Sequence, residues 1–396
     1  MIPLRILILH RQQSAVCYYR AKLPARALRA LGHEVTIFDE PYERVMLPDP
    51  MEWVEKQSGK FDLIIIDRTL RYEELGMFAG LRHLNPGARL IVDFDDDYTS
   101  VPPWNTAYSS FQSGQQYREA GHAHLKLSEM ATVSTFTLAE RFASRTHFIK
   151  TAMNFIDPAD WTGHPIDPSR PSDKTLRVLY GGASGHFGDL DVVKEGIEAV
   201  IDKPPVPFRL ICFGALPYWL HEASRRHPER VVSLPWIPFR DYATAVAWGG
   251  FDVAIAPLCD HPFNHAKSNI KWLEAAIQGI PFLCSNVGPY AEIPDGAAVR
   301  VPNTPVQWSE GLRALLQDAK LRQTLREEAH DAVLASWTID RRGPLWQDVV
   351  EEAMSRPRIE SLEDTRLPTE RAAPPTVAAS EAPDGQSAPG SPSHLP

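Results

Sequence analysis

The segment 265–281 carries charged residues whose spacing could do chemistry. It places Lys267, Lys271 and Glu274 on one predicted helical face, away from apolar residues spaced three and four apart, namely Ile270, Leu273 and Ile277. Two lysines near a helix N-terminus oppose the helix macrodipole, whose positive end favours anions. A bound anion would resolve this conflict, because lysines and free backbone N–H groups would converge on it. The glutamate could then accept hydrogen bonds from hydroxyl groups of the same ligand, as in a nucleotide or a nucleotide-sugar.

The ends of this helix are predicted by residue type. Ser268 or Asn269 is suited to the N-cap, and Gly279 followed by Pro281 is suited to the end of the helix. The alternative interpretation is an ordinary surface helix with a solvated Lys271–Glu274 pair.

A glycine-rich segment, residues 180–189, directly follows a predicted strand and includes Ser184 and His186. Its glycines let backbone N–H groups approach a phosphate closely: Gly182, Gly185 and Gly188. The same spacing fits the dinucleotide loop of sugar epimerases and short-chain reductases. Those enzymes need a downstream Tyr-x-x-x-Lys pair and an acidic residue after the next strand, and neither occurs here. For His186, the alternatives are a ligand contact and a plain polar loop residue.

Four aspartates lie within residues 93–97, at the end of another predicted strand. Clustered carboxylates repel one another, so they raise some pKa values, bind a cation or fan out into water. Asp95 and Asp96 are our candidates for holding an acceptor hydroxyl. Strand-end solvation and helix capping are the alternative interpretation.

The elements that must position these residues are predicted by short apolar runs that alternate with helical stretches. Such runs are typical of parallel strands buried on both faces. Six precede residue 155 and six follow residue 175: 4–9, 34–38, 61–66, 90–94, 131–134, 148–153, 176–180, 208–213, 231–235, 251–256, 281–284 and 298–301. We therefore expect an α/β protein with two doubly wound, Rossmann-like parallel-sheet domains that face each other across a cleft.

Composition sets the predicted boundaries. The first domain takes residues 1–157, a Pro- and Asp-rich linker takes 158–175, and the second domain takes 176–354, with a return of the last helices to the first domain left open. The last forty residues hold eight prolines, and no aromatic residue follows Trp346. A segment of this kind cannot bury a core, so we expect residues 355–396 to be disordered.

Charge and apolar content restrict the partners. A formal net charge of -9 does not favour nucleic-acid binding. Residues 1–33 contain no acidic residue, and their basic residues could face an anionic substrate, a membrane surface or simply solvent: Arg5, Arg11, Arg20, Lys22, Arg26 and Arg29. No run approaches the roughly 20 apolar residues of a spanning helix. We expect a cytoplasmic protein with reduced cysteines, and peripheral contact at the inner membrane face is left open.

With these residues in view, positions 4–350 resemble a glycosyltransferase of the GT-B class, and family 4 is the most similar. Residues 147–157 resemble the family's block before the inter-domain linker, and 251–257 resemble a following strand motif. Residues 231–238, with Trp236 and Ile237, resemble the loop that borders the nucleobase. Residues 266–281 lie where the family has its E-x7-E motif, in which Glu274 matches the glutamate that binds ribose hydroxyls.

The chain departs from the family pattern at several positions. Ala266 replaces the first glutamate, which in the family holds the donor sugar, and the Lys-Ser-Asn-Ile-Lys-Trp-Leu-Glu sequence resembles a divergent subgroup from bacterial and phage genomes. Candidates for the phosphate contacts are Lys267, Lys271 and His186. The rest of the predicted site comprises Ser184, Ser268 and Asn269 at the donor, Asp95, Asp96 and His186 in catalysis, and Arg20 and Asp97 towards phosphate or acceptor.

The resemblance implies a hexosyltransferase-like enzyme that retains anomeric configuration and needs neither metal nor cofactor, with the nucleotide-sugar as co-substrate. The acceptor is open among a polysaccharide, a lipid-linked molecule and a protein. The D-x-D spacing within residues 93–97 matches the metal signature of single-domain glycosyltransferases, but a two-domain cleft argues against that use. The alternatives are a nucleotide-sugar epimerase or hydrolase of the same fold, and a non-catalytic nucleotide-sugar-binding or scaffold protein.

Overall fold

Two six-stranded parallel sheets form the two halves of the molecule. The computed structural model describes residues 2–10, 14–38, 59–68, 72–164 and 175–360. The first sheet has the order β2-β1-β3-β4-β5-β6, with strands β1 Arg5–Leu9, β2 Glu34–Phe38, β3 Leu63–Asp67, β4 Arg89–Phe94, β5 Met130–Val133 and β6 Ile149–Thr151. The second has the order β12-β11-β10-β7-β8-β9, with strands β7 Leu176–Gly182, β8 Phe208–Gly214, β9 Val231–Leu234, β10 Val253–Ala256, β11 Phe282–Ser285 and β12 Val299–Val301.

Both faces of each sheet are covered by helices, as the continuous apolar runs predict. In β1, Ile6 and Ile8 pack into one core cluster and Leu7 and Leu9 into another, on the opposite face. The helices of the first half are α1 Ala15–Cys17, α2 Leu23–Ala30, α3 Tyr72–Leu84, α4 Gln116–Leu127, α5 Phe136–Phe142 and α6 Pro158–Trp161. Those that follow are α7 Phe187–Asp191, α8 Lys194–Asp202, α9 Tyr218–Arg226, α10 Phe239–Gly249, α11 Pro262–His265, α12 Ile270–Ile277, α13 Pro305–Gln317, α14 Ala319–Ser336, α15 Ile339–Arg342 and α16 Leu345–Ser355. The predicted fold class, two doubly wound parallel-sheet domains, is confirmed.

The last helix, α16, runs back to the first half. Beyond it, the Arg89 side chain donates to the carbonyl of Arg356, and the backbone N–H of Ile359 donates to the buried Glu129. Residues 355–360 are therefore packed, which shortens the segment predicted to be disordered. The rest of that prediction, residues 361–396, lies outside the described residues.

The predicted linker contains the short helix α6. Trp161 at its end is 2% exposed and packs against Phe239 and Tyr242 of the second half. This part of the linker thus joins the two halves by apolar contact, and residues 165–174 lie outside the described residues.

Four of the six basic residues near the N-terminus make contacts within the chain: Arg5, Arg20, Arg26 and Arg29. Arg5 pairs with Asp62, Arg26 pairs with Asp157 and Asp160, and Arg29 donates to the carbonyl of Val35. Arg11 lies outside the described residues. In the part of the chain that the structure describes, no helix is long and apolar enough to cross a membrane.

Candidate functional site

The helix predicted from the Lys–Glu segment is α12, and it begins one turn later than the charge pattern suggested. Asn269 stands at its N-cap position, and Gly279, with a φ of 65°, lies just beyond its end. Lys267 therefore lies in the loop before the helix instead of sharing a helical face with Lys271 and Glu274. All three still approach the same region from this one segment.

Lys271 faces a pocket of about 350 Å³, counting the space open to solvent. Gly181, Tyr242 and Glu274 also line it, between the second sheet and the helices α10 and α12. The Nζ atom of Lys271 lies 5.6 Å from the ring centre of Tyr180. Among the described residues, no carboxylate lies within ion-pair distance of this ammonium. Burial, with repulsion from Lys267, lowers the pKa of Lys271 to about 8.

Glu274 is held by a residue of the first half. Tyr19 is 1% exposed and donates its hydroxyl to the Glu274 carboxylate, 3.0 Å away. A π-helical turn, Tyr18–Lys22, lies between α1 and α2 and carries Tyr19, consistent with the frequent use of such turns at functional sites. Burial raises the pKa of Glu274 to about 7, against the effect of the Tyr19 hydrogen bond.

The residues at the start of α12 also meet the first half. Ser268 accepts a hydrogen bond from the side-chain amide of Asn154, 3.0 Å away. Asn269 is 3% exposed, and its side-chain nitrogen has no partner within the described residues. A buried amide nitrogen without a partner is uncommon and is compatible with a ligand contact at this position.

The glycine-rich segment lies beside α12, and its backbone needs small residues. Gly214, at the end of the neighbouring strand β8, has a φ of 101°, and a Cβ there would lie 2.4 Å from the Gly182 carbonyl. The same Cβ would lie 3.1 Å from the Trp236 ring, which is therefore close to this strand end although 65% exposed. Ile237 instead packs partly buried against the core. Ser184 opens a single 3-10 turn that leads into α7.

His186 lies in that turn, and its partner is Asp189. The Nδ1 atom of His186 is 2.7 Å from a carboxylate oxygen of Asp189, which is itself 2% exposed. Burial, followed by repulsion from Lys271, lowers the pKa of His186 to about 4. His186 is therefore neutral at pH 7 and does not supply a positive charge to a phosphate.

Asp95 and Asp96 sit opposite this loop, at the carboxyl end of β4. Arg68, at the end of the neighbouring strand β3, approaches Asp95 to 2.9 Å and Asp96 to 3.1 Å. Lys267 lies 3.6 Å from the other oxygen of Asp96, so this contact crosses between the halves. Burial alone would raise the pKa of Asp96, but Lys267 and Arg68 lower it to about 2. Burial raises the pKa of Asp95 to about 6, against the attraction of Arg68.

Arg20 is not in the cleft. It is 2% exposed and binds both carboxylate oxygens of Asp93, at 2.8 and 2.6 Å. It also donates to the side-chain oxygen of Asn154. Because these groups occupy its guanidinium, Arg20 contributes to structure rather than to the predicted phosphate or acceptor contact.

Asp97 is also structural. It is fully buried, and it accepts hydrogen bonds from Thr99, from the Ser100 hydroxyl and from Arg141, 2.7 Å away. The loop after β4 thus turns Asp97 inward, whereas Asp95 and Asp96 remain at the cleft. Neither alternative interpretation describes this member of the cluster, because its carboxylate is buried and no helix begins at residues 97–100.

A loop of the first half covers the glycine-rich segment; we call residues 102–105 the strap. A Cβ on Gly188 would lie 2.6 Å from the Trp104 ring, and a Cβ on Gly185 would lie 3.1 Å from the Asn105 amide. Trp104 also contacts the ring of His261, with centroids 5.1 Å apart. The strap therefore closes one side of the site.

Tyr19, Arg68, Asp189 and Trp104 were not predicted as site residues. A signal existed for two of them. Arg68 follows a buried strand as the aspartate cluster does, and the ends of neighbouring parallel strands meet at one edge. His186 and Asp189 have the i, i+3 spacing that brings side chains together at a helix start. Tyr19 and Trp104 come from distant segments and gave no such signal.

The comparisons with known proteins agree with this architecture. Residues 195–348 match a family model described as "Glycosyl transferase-like". Among solved structures, sucrose-phosphate synthase (tll1590) from Thermosynechococcus elongatus has a TM-score of 0.64 at 15% identity and covers 88% of this chain and 98% of its own. Anabaena Alr3699/HepE in complex with UDP-glucose has a TM-score of 0.63 at 14% identity, covering 88% of this chain and 100% of its own.

A third structure is AviGT4, a glycosyltransferase involved in avilamycin A biosynthesis. Its TM-score is 0.57 at 14% identity, and the match covers 89% of this chain and 98% of that one. No curated protein matches the sequence. At such identities the structural likeness establishes the fold: the chain has the GT-B architecture of these glycosyltransferases, and its second half carries the glycosyltransferase-like match.

Proposed function

We propose that this chain transfers a sugar from a nucleoside-diphosphate sugar to an acceptor hydroxyl. The observation that carries the proposal is Lys271, a half-buried lysine three residues from Glu274 whose ammonium has no carboxylate of the described residues within ion-pair distance. A partly desolvated charge without a partner is unfavourable, and an anionic ligand would provide that partner. A diphosphate at Lys271 would bring the adjoining ribose towards Glu274.

Each side chain then has a distinct role at the donor. Lys267 and Lys271 would stabilise the negative charge that develops on the leaving diphosphate. Glu274 would accept hydrogen bonds from ribose hydroxyls, and Trp236 and Ile237 would border the base. Ser184, Ser268 and Asn269 would supply further hydrogen bonds, in keeping with the unpartnered amide of Asn269.

The acceptor would lie on the side of Asp95 and Asp96. The anomeric C–O bond to the diphosphate breaks, and the diphosphate leaves with the electron pair. The acceptor oxygen bonds to the same carbon on the face from which the diphosphate leaves, as retention of configuration requires. With a pKa of about 6, Asp95 is ionised at pH 7 and suited to take the proton of the acceptor hydroxyl. The packing of the strap over the glycine-rich segment would hold both reactants in a small, dry space.

Three finer properties complete the proposal: retention of anomeric configuration, transfer of a hexose and independence from metal, all as in family 4. They rest on the resemblance of segment 266–281 to that family. Uridine is the first base to test, because Alr3699/HepE was solved with UDP-glucose.

One observation favours a second candidate, a non-catalytic nucleotide-sugar-binding protein. Ala266 stands where the family has the glutamate for the donor sugar, and it is fully buried in an apolar cluster with Phe94 and Tyr98. A protein of this kind would bind the donor without turning it over.

Mass spectrometry with a panel of nucleotide-sugars, with and without candidate acceptors, separates the two candidates. Release of a nucleoside diphosphate that depends on the acceptor supports transfer, and donor binding without turnover supports the second candidate. Glu274→Ala should weaken donor binding and leave folding intact, and Glu222→Ala on the surface helix α9 is its matched control. Unaltered donor affinity in Glu274→Ala would overturn the ribose assignment.

A further inference from the structure

The donor sugar has no carboxylate partner at the position where the family resemblance would put one. Ala266 is fully buried, and its carbonyl accepts a hydrogen bond from the Thr135 hydroxyl of the first half, 2.9 Å away. A side chain at this position meets the apolar cluster of Phe94 and Tyr98 rather than the cleft. Recognition of sugar hydroxyls therefore requires an acceptor from another element.

The His186–Asp189 pair offers such an acceptor, and it is rigidly held. One Asp189 oxygen binds Nδ1 of His186 at 2.7 Å. The other accepts from the backbone N–H of Cys259, at 2.9 Å, and from the side-chain amide of Asn264, at 2.6 Å. With both of its oxygens engaged, Asp189 has one fixed orientation, and so has the imidazole bound to it.

The partner of Nδ1 determines what the other ring nitrogen can do. An ionised carboxylate only accepts hydrogen bonds, so Nδ1 of His186 carries the proton. In a neutral imidazole, Nε2 then presents a lone pair. Nε2 has no hydrogen-bond partner in the part of the chain that the structure describes, and the His186 side chain is 20% exposed. The neighbouring ammonium groups of Lys271 and Lys267 oppose protonation of the ring.

The imidazole also lies in the same charged region as the proposed donor and acceptor groups. Lys271 and Lys267 affect its charge, it affects that of Asp96, and the Lys267 ammonium lies 3.6 Å from the Asp96 carboxylate. In a nucleotide-sugar, the transferred sugar is bonded to the diphosphate and is approached by the acceptor. A sugar whose diphosphate meets the lysines and whose acceptor meets Asp96 would therefore lie against His186.

We propose that His186, oriented by Asp189, accepts a hydrogen bond from one hydroxyl of the transferred sugar and so selects donors that carry this hydroxyl. The assignment rests on the proposed function. His186 binds the substrate directly, and Asp189 is a positioning residue. The pair takes the place of the carboxylate that Ala266 cannot provide.

The first test measures binding of matched ligands by calorimetry: UDP, GDP, dTDP and ADP, each alone and as its glucose conjugate, GDP also as its mannose conjugate. His186→Phe keeps a ring but removes the acceptor, and it should weaken the nucleotide-sugar about 10-fold while changing the affinity of the nucleoside diphosphate less than about 2-fold. His265→Phe is the matched control, because this nearby histidine is 43% exposed and pairs with Asp260. It should change neither affinity.

A second test needs no assumption about the folding of a variant. Donors in which one sugar hydroxyl is replaced by fluorine cannot donate from that position. The wild type should bind the donor fluorinated at one position about 10-fold more weakly than the natural donor. His186→Phe should bind these two donors equally well. The proposal would be overturned if His186→Phe still preferred the natural donor over the fluorinated one. It would also be overturned if the variant lost as much affinity for the nucleoside diphosphate as for the nucleotide-sugar.

Asp189 is tested by a signal that a merely structural role would not change. Asp189→Asn should change the ¹⁵N spectrum of His186, because the fixed Nδ1–H tautomer of the wild type becomes mixed. Discrimination of the fluorinated donor should fall in parallel. An unchanged tautomer, or a mixed tautomer with unchanged discrimination, would overturn the positioning role.

The outcomes also distinguish this inference from the proposed function. If the wild type binds nucleoside diphosphates and the sugar adds nothing to the affinity, the proposed anion site stands and the proposed role of His186 is wrong. If the wild type binds none of the nucleotides, the proposed function fails and this assignment fails with it.

Discussion

The two sides of the cleft handle charge in opposite ways. On the first half, each carboxylate of the Asp93–Asp97 segment meets a basic side chain: Arg20 with Asp93, Arg68 with Asp95 and Asp96, and Arg141 with Asp97. On the second half, Lys271 has no carboxylate within ion-pair distance among the described residues, and Glu274 is bound by the neutral hydroxyl of Tyr19.

This difference indicates which ligand belongs on which side. A neutralised carboxylate cluster can accept hydrogen bonds without further charge, which suits hydroxyl groups. A half-buried ammonium without an ion-pair partner gains most from an anion. The comparison therefore supports the proposed placement of the acceptor on the first half and of the diphosphate on the second, and four predictions can break or sharpen it.

The largest effect is expected for Arg20, on stability. Arg20→Ala leaves the buried Asp93 carboxylate without its cation, and breaking such a pair costs about 3–5 kcal/mol. Urea unfolding should show this loss, whereas Arg26→Ala, which breaks exposed ion pairs, should cost less than about 1 kcal/mol. If Arg20→Ala keeps its stability and loses donor or acceptor binding, the structural assignment of Arg20 is wrong.

The second effect concerns Lys271, on binding. Lys271→Met should weaken nucleoside-diphosphate binding about 100-fold, or about 2.7 kcal/mol, because it removes a charge-assisted contact. Wild-type affinity should also fall as the pH rises above 8, where the free Lys271 loses its proton. Calorimetry at several pH values measures both effects.

A matched variant is Lys267→Met, which removes a paired cation from the same half of the molecule. Lys267 already pairs with Asp96, so its loss should weaken binding by about 10-fold. Lys271→Met should be at least as stable as the wild type, since it removes a half-buried charge that has no ion-pair partner among the described residues. Equal losses for the two lysines would show that the paired and unpaired cations do not differ as the comparison states.

Much of the architecture could be predicted because it depends on the local sequence of each element. All twelve strands fall within two residues of the apolar runs, since a strand buried on both faces must be apolar throughout. That Lys271 and Glu274 line the same pocket was predictable for the same reason, because their i, i+3 spacing within one helix places them on one face.

The rest of the site depends on how the two halves pack. Tyr19 and Glu274 are 255 positions apart, and no local pattern indicates which tyrosine will meet that carboxylate. Arg20 was misassigned because the sequence around a single arginine does not distinguish pairing with a buried aspartate from contact with a phosphate. The same holds for Asp97, whose inward turn follows from hydrogen bonds with Thr99 and Ser100.

The third prediction concerns the strap, which joins the two sides. Gly188→Ala places a Cβ against the Trp104 ring and should cost about 1–2 kcal/mol of unfolding free energy. The double variant Gly188→Ala with Trp104→Ala removes the clash, so the two effects should not be additive. A double-mutant cycle by urea unfolding measures this coupling, and simple additivity would mean that the strap is not packed on Gly188 in solution.

The smallest effect is a pH-dependent change in stability at Glu274. Its pKa is about 4.5 when exposed and about 7 in the folded protein, so the folded state binds more protons between these values. Stability therefore falls as pH rises through this window. Gln resembles the protonated form, so Glu274→Gln should be more stable than the wild type at pH 7.5 and about equal to it near pH 4.5. Unfolding curves at both pH values, with the surface variant Glu222→Gln as control, measure the difference.

Because a nucleotide ribose would need the ionised carboxylate as acceptor, Glu274→Gln should also bind donors less well although its folded state is more stable. If Glu274→Gln is no more stable than the wild type and binds donors equally well, Glu274 lies outside the donor site. The contrast between the two sides of the cleft is then lost.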